Sequence, residues 1–130
     1  MSTRSRIGIQ FADGSILSAY HHWDGYPEGL GLILKTHYYS KEFAFVLIGG
    51  GDMSLCWTDE RWDDSADGTY GPQYYSQRGD DYPPRIDSNL IEYLGDNEEY
   101  AYLFTNGEWV CYELGETPEL VEIPNGALMV

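Results

Sequence analysis

Two stretches of the chain alternate apolar and polar positions around a turn dipeptide, a pattern typical of β-hairpins. In the first stretch, Ile7, Ile9 and Phe11 alternate with polar residues or glycine and lead to Asp13-Gly14. This dipeptide favours a two-residue type I′ turn, whose central residues both take positive φ. The pattern therefore predicts a hairpin over residues 6–22. The predicted pairs are Phe11 with Ile16, Ile9 with Ser18, Ile7 with Tyr20 and Arg6 with His21.

The second hairpin is predicted over residues 99–114, around Asn106-Gly107. Asn-Gly between apolar runs is the strongest short hairpin pattern. Both faces are substantially apolar, which is typical of central strands that are covered on both sides. The residues from Leu120 to Ile123 can supply an edge strand. The predicted hairpin pairs are Phe104 with Trp109, Leu103 with Val110, Tyr102 with Cys111 and Ala101 with Tyr112.

Between the hairpins, the apolar spacing changes to that of helices. Pro27 suits a first helical turn, and Leu30, Ile33 and Leu34 follow at helical intervals. Ser40 is a good N-cap for a short buried helix over the apolar run 43–48, and the triple glycine 49–51 would end it. The competing interpretation of this run is a buried strand, and the cap favours the helix.

Residues 52–88 show no sustained period and combine aromatic residues, acidic residues and prolines. We expect a long irregular loop that its aromatic side chains hold on the sheet or across a pocket.

Together, the predicted elements form a single α+β domain over residues 1–130. It consists of an antiparallel sheet of about five strands, from two hairpins and an edge strand, with two short helices on one face.

The charge balance narrows the classes of partner. The chain has 130 residues and a formal net charge of −15, from 22 acidic and 7 basic residues. Direct nucleic-acid binding and binding to anionic membranes are disfavoured, because both require clustered Lys and Arg. A strong negative field fits solubility, cation binding or competition with nucleic acid for a basic protein. Neither a secretory signal nor a membrane-spanning run is predicted.

The stretch 21–27, with sequence HHWDGYP, concentrates the candidate chemistry at the junction of strand and helix. A histidine could act as acid or base with Asp24 as its orienting partner, while Trp23 and Tyr26 could stack on a ring. Adjacent strand residues point to opposite faces, so at most one of His21 and His22 faces a given ligand. The structural alternative is that the stretch only closes the sheet–helix junction.

Metal and nucleophile motifs are weak. The residues available for zinc, which are His21, His22, His37, Cys56 and Cys111, lack diagnostic spacing. Asp63, Ser65, Asp67 and Gly68 resemble half of a calcium loop, but its twelfth position is Tyr74 rather than Glu. No nucleophile or phosphate-loop motif is present. We expect no metal, no cofactor and two free buried thiols.

The N-terminal third, roughly residues 1–50, resembles a family of small proteins encoded by tailed bacteriophages. The resemblance is carried by STRS and Ile7 near the start, Asp13-Gly14, Tyr20 to Pro27, Gly29 and Gly31. It implies a phage accessory protein acting in the host bacterial cytoplasm, and it carries no catalytic residues over. It directs attention to Arg4, Arg6, His22, Trp23, Asp24 and Tyr26.

Three functional hypotheses follow. The first is a non-enzymatic anti-defence protein, expected to be a homo-oligomer, that sequesters a small ligand such as a nucleotide immune signal. Trp23 and Tyr26 would stack on its ring, while Arg4 or Arg6 would meet its phosphate. The second is an acidic mimic of nucleic acid that occupies a basic host protein. The third is a small hydrolase that uses His22 and Asp24. The mimic would rely on Asp59, Glu60, Asp63, Asp64, Asp67, Asp80 and Asp81.

Overall fold

The computed structural model describes residues 3–55, 73–75, 79, 82–95 and 98–123. Their strands are β1 (Ser5–Gln10), β2 (Ile16–His21), β3 (Met53–Leu55), β4 (Gln73–Tyr74), β5 (Arg85–Asp87), β6 (Tyr100–Thr105), β7 (Glu108–Glu113) and β8 (Glu119–Val121). The helices are α1 (Leu32–His37), α2 (Lys41–Gly49) and α3 (Leu90–Tyr93), and a wide helical turn of π type at Pro27–Gly31 precedes α1.

The strands form one mixed sheet in the order β4-β3-β2-β1-β6-β7-β8, and β5 pairs with β2. The α+β class is confirmed, but a purely antiparallel sheet is wrong. The two hairpins meet through a parallel pairing of β1 with β6, in which Ile7 is opposite Tyr102. Strand β2 also pairs in parallel with β3. Turn patterns predict pairing only between neighbouring strands, so these long-range pairs were missed.

The register of the first hairpin differs from the prediction by one residue. Strand β1 pairs with β2 so that Ser5 is opposite His21, Arg6 is opposite Tyr20 and Ile7 is opposite Ala19. The backbone N–H of Phe11 donates to the Ser15 carbonyl at 2.9 Å, which closes a three-residue loop. Gly14 has φ +92°, whereas the φ of Asp13 is not positive. A three-residue loop with glycine in its last position explains the shift.

The second hairpin has the predicted register throughout. Phe104 is opposite Trp109 and Tyr102 is opposite Cys111. Asn106 and Gly107 have φ values of +53° and +81°, as a type I′ turn requires. The predicted edge strand is present as β8, paired antiparallel with β7.

Helices cover both faces of the sheet. As predicted, α1 and α2 lie on one face, where Leu34, Ala44 and Leu47 pack in one core with Ile7 and Ile9. The unpredicted α3 lies on the opposite face, here called the outer face. A smaller core forms there, composed of Ile16, Tyr93, Ala101 and Leu103.

Helix α2 begins and ends where its sequence indicates. The Ser40 hydroxyl accepts a 3.2 Å hydrogen bond from the Phe43 N–H, so the predicted N-cap is confirmed, and the helix ends in the triple glycine. The helix is not fully buried, because Phe43, Phe45 and Val46 are exposed. The prediction of a buried helix was therefore wrong for its outward side.

The predicted irregular stretch 52–88 contains strands β3, β4 and β5 in its described part. The backbone N–H of Asp52 donates to the Tyr82 carbonyl at 2.9 Å. The tryptophans of this stretch lie outside the described residues. The same holds for the acidic residues of the mimic hypothesis, from Asp59 to Asp81.

Candidate functional site

The HHWDGYP stretch first continues the sheet and then leaves it. The N–H groups of His22 and Trp23 donate to the carbonyls of Met53 and Ser54, at 3.2 and 3.1 Å. These bonds extend the contact between β2 and β3 beyond the strand. The backbone of His22 and Trp23 is therefore fixed before the chain turns.

The turn at Asp24 and Gly25 is built against the N-terminal strand. Asp24 adopts φ +55°, and the Gly25 N–H donates to the Thr3 carbonyl at 2.9 Å. A Cβ on Gly25 would lie 2.7 Å from both the Thr3 carbonyl oxygen and the Ser5 hydroxyl oxygen. The close approach that a glycine permits is therefore used by the chain itself rather than by a ligand.

His21 points into the helix-side core. Its side chain is 1% exposed, and its position opposite Ser5 places it on the face of Ile7 and Ala19. Burial, with a smaller effect of the neighbouring His22, lowers the pKa of His21 to about 3. It is neutral at ordinary pH and is excluded from a surface site. The prediction that His21 faces Arg6 was wrong because the hairpin register differs by one residue.

His22 lies on the outer face together with Tyr20. The Tyr20 hydroxyl and the His22 Nδ1 are 2.7 Å apart and share a hydrogen bond. The indole of Trp23 packs edge-on against the imidazole, with ring centroids 4.6 Å apart, while 43% of Trp23 remains exposed. Burial raises the pKa of Tyr20, and the charge of Arg4 acts in the opposite direction. Arg4 is therefore close enough to influence this phenol.

Arg6 follows on the same face, because it is opposite Tyr20 in the register. It is 7% exposed, and its guanidinium donates to the hydroxyl and carbonyl oxygens of Ser18 at 3.0 and 3.3 Å. Arg4 precedes β1, at the position that would face His22 if the register continued. Its guanidinium is half-exposed and lies 3.6 Å from the Glu99 carboxylate. One cation is thus buried and fixed, and the other is accessible.

Asp24 and Tyr26 form a separate pair at the start of the helical turn. The Tyr26 hydroxyl is 3.5 Å from Asp24 Oδ1, and both side chains are exposed. Of the six predicted site residues, the structure brings Arg4, Arg6, His22 and Trp23 together around Tyr20. We call these five residues the outer-face cluster. Asp24 and Tyr26 lie outside it.

The sequence interpretation missed two residues here. Tyr20 belongs to the outer-face cluster, and Ser18 accepts the hydrogen bonds that hold Arg6. The alternation of Ser18, Tyr20 and His22 along one strand was the available pattern, because residues two apart share a face. Asp52 was also missed. Its carboxylate accepts a 2.9 Å hydrogen bond from the Tyr20 N–H and so fixes the strand beside the cluster.

An acidic groove of about 720 Å³ lies beside the cluster, where Thr3 and Glu99 form part of its wall. Glu113, Glu116 and Glu119 also line it. Part of the −15 net charge is therefore concentrated along one groove. In the described ranges, no group of three or more His, Cys, Asp or Glu side chains is placed to hold a metal ion.

Cys111 is a free, buried thiol, as predicted, and burial raises its pKa to about 12. The prediction for Cys56 falls outside the described residues.

None of the helices in the described part of the chain is long and apolar enough to cross a bilayer.

Comparison of the chain with models of known protein families finds no match, and comparisons with curated proteins and with solved structures find none either.

Proposed function

We propose that the protein binds and sequesters a small ligand at the outer-face cluster without changing it chemically. The observation that carries the proposal is the contact series from Tyr20 through His22 to Trp23. Trp23 is partly exposed, yet it packs against an imidazole that Tyr20 holds. An exposed aromatic ring that is already ordered binds another ring at low cost in conformational entropy.

The chemistry of the cluster favours a ligand with a ring and an anionic group, such as a nucleotide. Trp23 supplies the surface for stacking, and Arg4 supplies a half-exposed guanidinium. Arg6 adds a fixed positive charge on the same face. Guanidinium groups bind phosphate through charge-assisted hydrogen bonds. These local charges would allow an anion to bind to a chain of net charge −15.

Sequestration is preferred over hydrolysis because of the partners of His22 and Asp24. The Nδ1 of His22 is bonded to Tyr20, while the carboxylate of Asp24 lies near Tyr26. A general base and its orienting carboxylate would have to contact each other. His22 and Asp24 instead have separate partners, which favours sequestration. The resemblance to phage proteins favours an anti-defence role in the host bacterial cytoplasm, with a nucleotide immune signal as the ligand.

The test is retention of cyclic oligonucleotides and cyclic ADP-ribose isomers, followed by heat release and mass analysis. We expect one of them to be recovered intact. Trp23→Ala should abolish retention, whereas Phe45→Ala should not, since Phe45 is a similarly exposed aromatic residue (48%) on α2. Unchanged retention by both variants would contradict the proposal. Recovery of a cleaved nucleotide would favour the hydrolase. Light scattering of the same sample tests the proposed homo-oligomer.

The acidic groove favours a second candidate function, a nucleic-acid mimic that binds a basic host protein. Glu113, Glu116 and Glu119 would then replace phosphates. Under this proposal, a host protein is captured at low salt and released by high salt or by added double-stranded DNA. Replacement of all three of these glutamates by Gln should weaken capture of the host protein, while Glu42→Gln on α2 should not. Capture that is insensitive to salt and to DNA would reject the mimic.

A further inference from the structure

A cleft of about 370 Å³ lies at the far end of β1 from the outer-face cluster. Tyr39 and Lys41 form one wall, and the other is formed by Phe104 and the turn between β6 and β7, including Asn106. Small-molecule sites in proteins usually have volumes of about 300–1,000 Å³, so the cleft is large enough for a compact ligand.

The aromatic wall of the cleft is held in place from two sides. The indole N–H of Trp109 donates to the Tyr38 carbonyl at 2.7 Å, which fixes the segment between α1 and α2 against the second hairpin. The ring of Tyr39 packs edge-to-face with Phe43, with centroids 5.2 Å apart. Tyr39 is nevertheless 64% exposed. A ring that is both ordered and accessible is suited to stacking on a planar ligand.

The charge of the cleft is opposite to that of the molecule. Among the described residues that line it, Lys41 is the one with a charge, and its ammonium has no hydrogen-bond or ion-pair partner in the described ranges. The Gln10 side-chain oxygen accepts a 3.0 Å hydrogen bond from the Thr105 hydroxyl, and Gln10 is opposite Ile16 of the outer face, so this uncharged pair lies at the end of the sheet beside the cleft. The acidic groove, by contrast, is lined by four glutamates, Glu99, Glu113, Glu116 and Glu119.

We propose that this cleft is a second binding site, for a small organic anion that joins a planar ring to a carboxylate or phosphate group. The ring would lie on Tyr39, in the cleft that Phe104 helps to line. The anionic group would be bound by the Lys41 ammonium. The site is separate from the outer-face cluster and does not depend on its function.

The experiment is a titration of the ¹⁵N-labelled chain, followed by amide chemical shifts, at constant ionic strength. The probes are benzoate and adenosine monophosphate, with benzyl alcohol as the neutral analogue and acetate as the anion without a ring. We expect saturable shifts of the Lys41, Thr105 and Gly107 amides, with a Kd of about 1 mM or tighter for the better of the first two probes. Benzyl alcohol and acetate should bind at least about tenfold more weakly. Benzoate and adenosine monophosphate distinguish carboxylate from phosphate.

Variants decide whether the named residues bind the probe. Lys41→Gln and Tyr39→Ala should each weaken binding at least about tenfold, while Lys35→Gln, an exposed lysine on α1, should leave it unchanged. Trp23→Ala should also leave it unchanged, which separates this site from the outer-face cluster. Absence of saturable shifts with both anionic probes, or unchanged affinity in Lys41→Gln with preserved spectral dispersion, would overturn the proposal.

Discussion

The Tyr102 hydroxyl donates a 2.6 Å hydrogen bond to the Gly25 carbonyl, across 77 positions of sequence. This bond connects the central strand β6 to the turn of the HHWDGYP stretch, and it is buried. The stretch on which the proposed function depends is therefore held by the core of the sheet as well as by its neighbours in sequence.

Removing this hydroxyl should destabilise the fold. Tyr102→Phe leaves the buried Gly25 carbonyl without its donor, and we expect the free energy of unfolding to fall by about 1–2 kcal/mol. Urea denaturation measures the change. The control is Tyr112→Phe on β7, a half-buried tyrosine for which no hydroxyl hydrogen bond is found in the described residues, and it should change stability by less than about 0.5 kcal/mol. Equal effects of the two variants would contradict the role of the bond.

Gly25→Ala should be destabilising for a steric reason. The new Cβ would lie 2.7 Å from the Thr3 carbonyl oxygen, and backbone cannot move aside cheaply. We expect a loss of about 1–3 kcal/mol, with a displaced turn at 24–26. Gly49→Ala is the matched control, because its Cβ would meet no atom within 4 Å and alanine favours a helix. If Gly25→Ala is as stable as Gly49→Ala, the close approach to Thr3 is not as described.

His21 should make the protein sensitive to acid. Its pKa is about 3 in the folded chain, against an ordinary value of 6.5. Between these values the unfolded chain binds a proton that the native chain does not. The contribution of His21 to stability is therefore complete above about pH 6.5 and is lost as the pH falls towards 3, by at most about 1.4 kcal/mol per pH unit.

Urea denaturation across this pH range, with His21→Gln beside the unchanged chain, tests the acid sensitivity. The variant should show a shallower loss of stability on acidification. His37→Gln, a replacement at the end of α1, should keep the full slope because His21 is intact. Parallel slopes in the unchanged chain and in His21→Gln would show that His21 is not the origin.

Cys111 should be unreactive until the chain unfolds. With its pKa raised to about 12, on the order of one thiol in 10,000 is ionised at pH 8, and the side chain is also buried. In a Cys56→Ser background, we expect labelling by a thiol reagent to follow the urea unfolding curve. Rapid labelling of the native chain would mean that β7 opens locally.

Comparison of the two hairpins shows what the sequence could predict. Asn106-Gly107 fits one short turn well, and every predicted pair of that hairpin is present. Asp13-Gly14 fits both a two-residue turn and the last two positions of a three-residue loop, and the pattern alone does not separate them. The prediction chose the first. That one-residue difference moved His21 from the expected polar face into the core.

The candidate site was predictable to a similar extent. Its location at the strand–helix junction followed from Pro27 and the change of apolar spacing. Which side chains share a face depended on the register and on the parallel pairing of β1 with β6, and these are settled by packing between distant strands. Asp24 and Tyr26 were grouped with His22 because they are near in sequence, yet the turn at Asp24 directs them elsewhere.

The parallel pairing of β1 with β6 has a consequence for synthesis of the chain. Ser5 is opposite Tyr100, so the first strand made must wait for residues near the end of the chain before the centre of the sheet can form. Until then, the apolar face of the first hairpin and the inner sides of α1 and α2 lack their central partner. Contacts between such distant residues slow folding and prolong the exposure of apolar surface. We expect nascent chains that stop before β6 to bind chaperones, and full-length chains to be released from them.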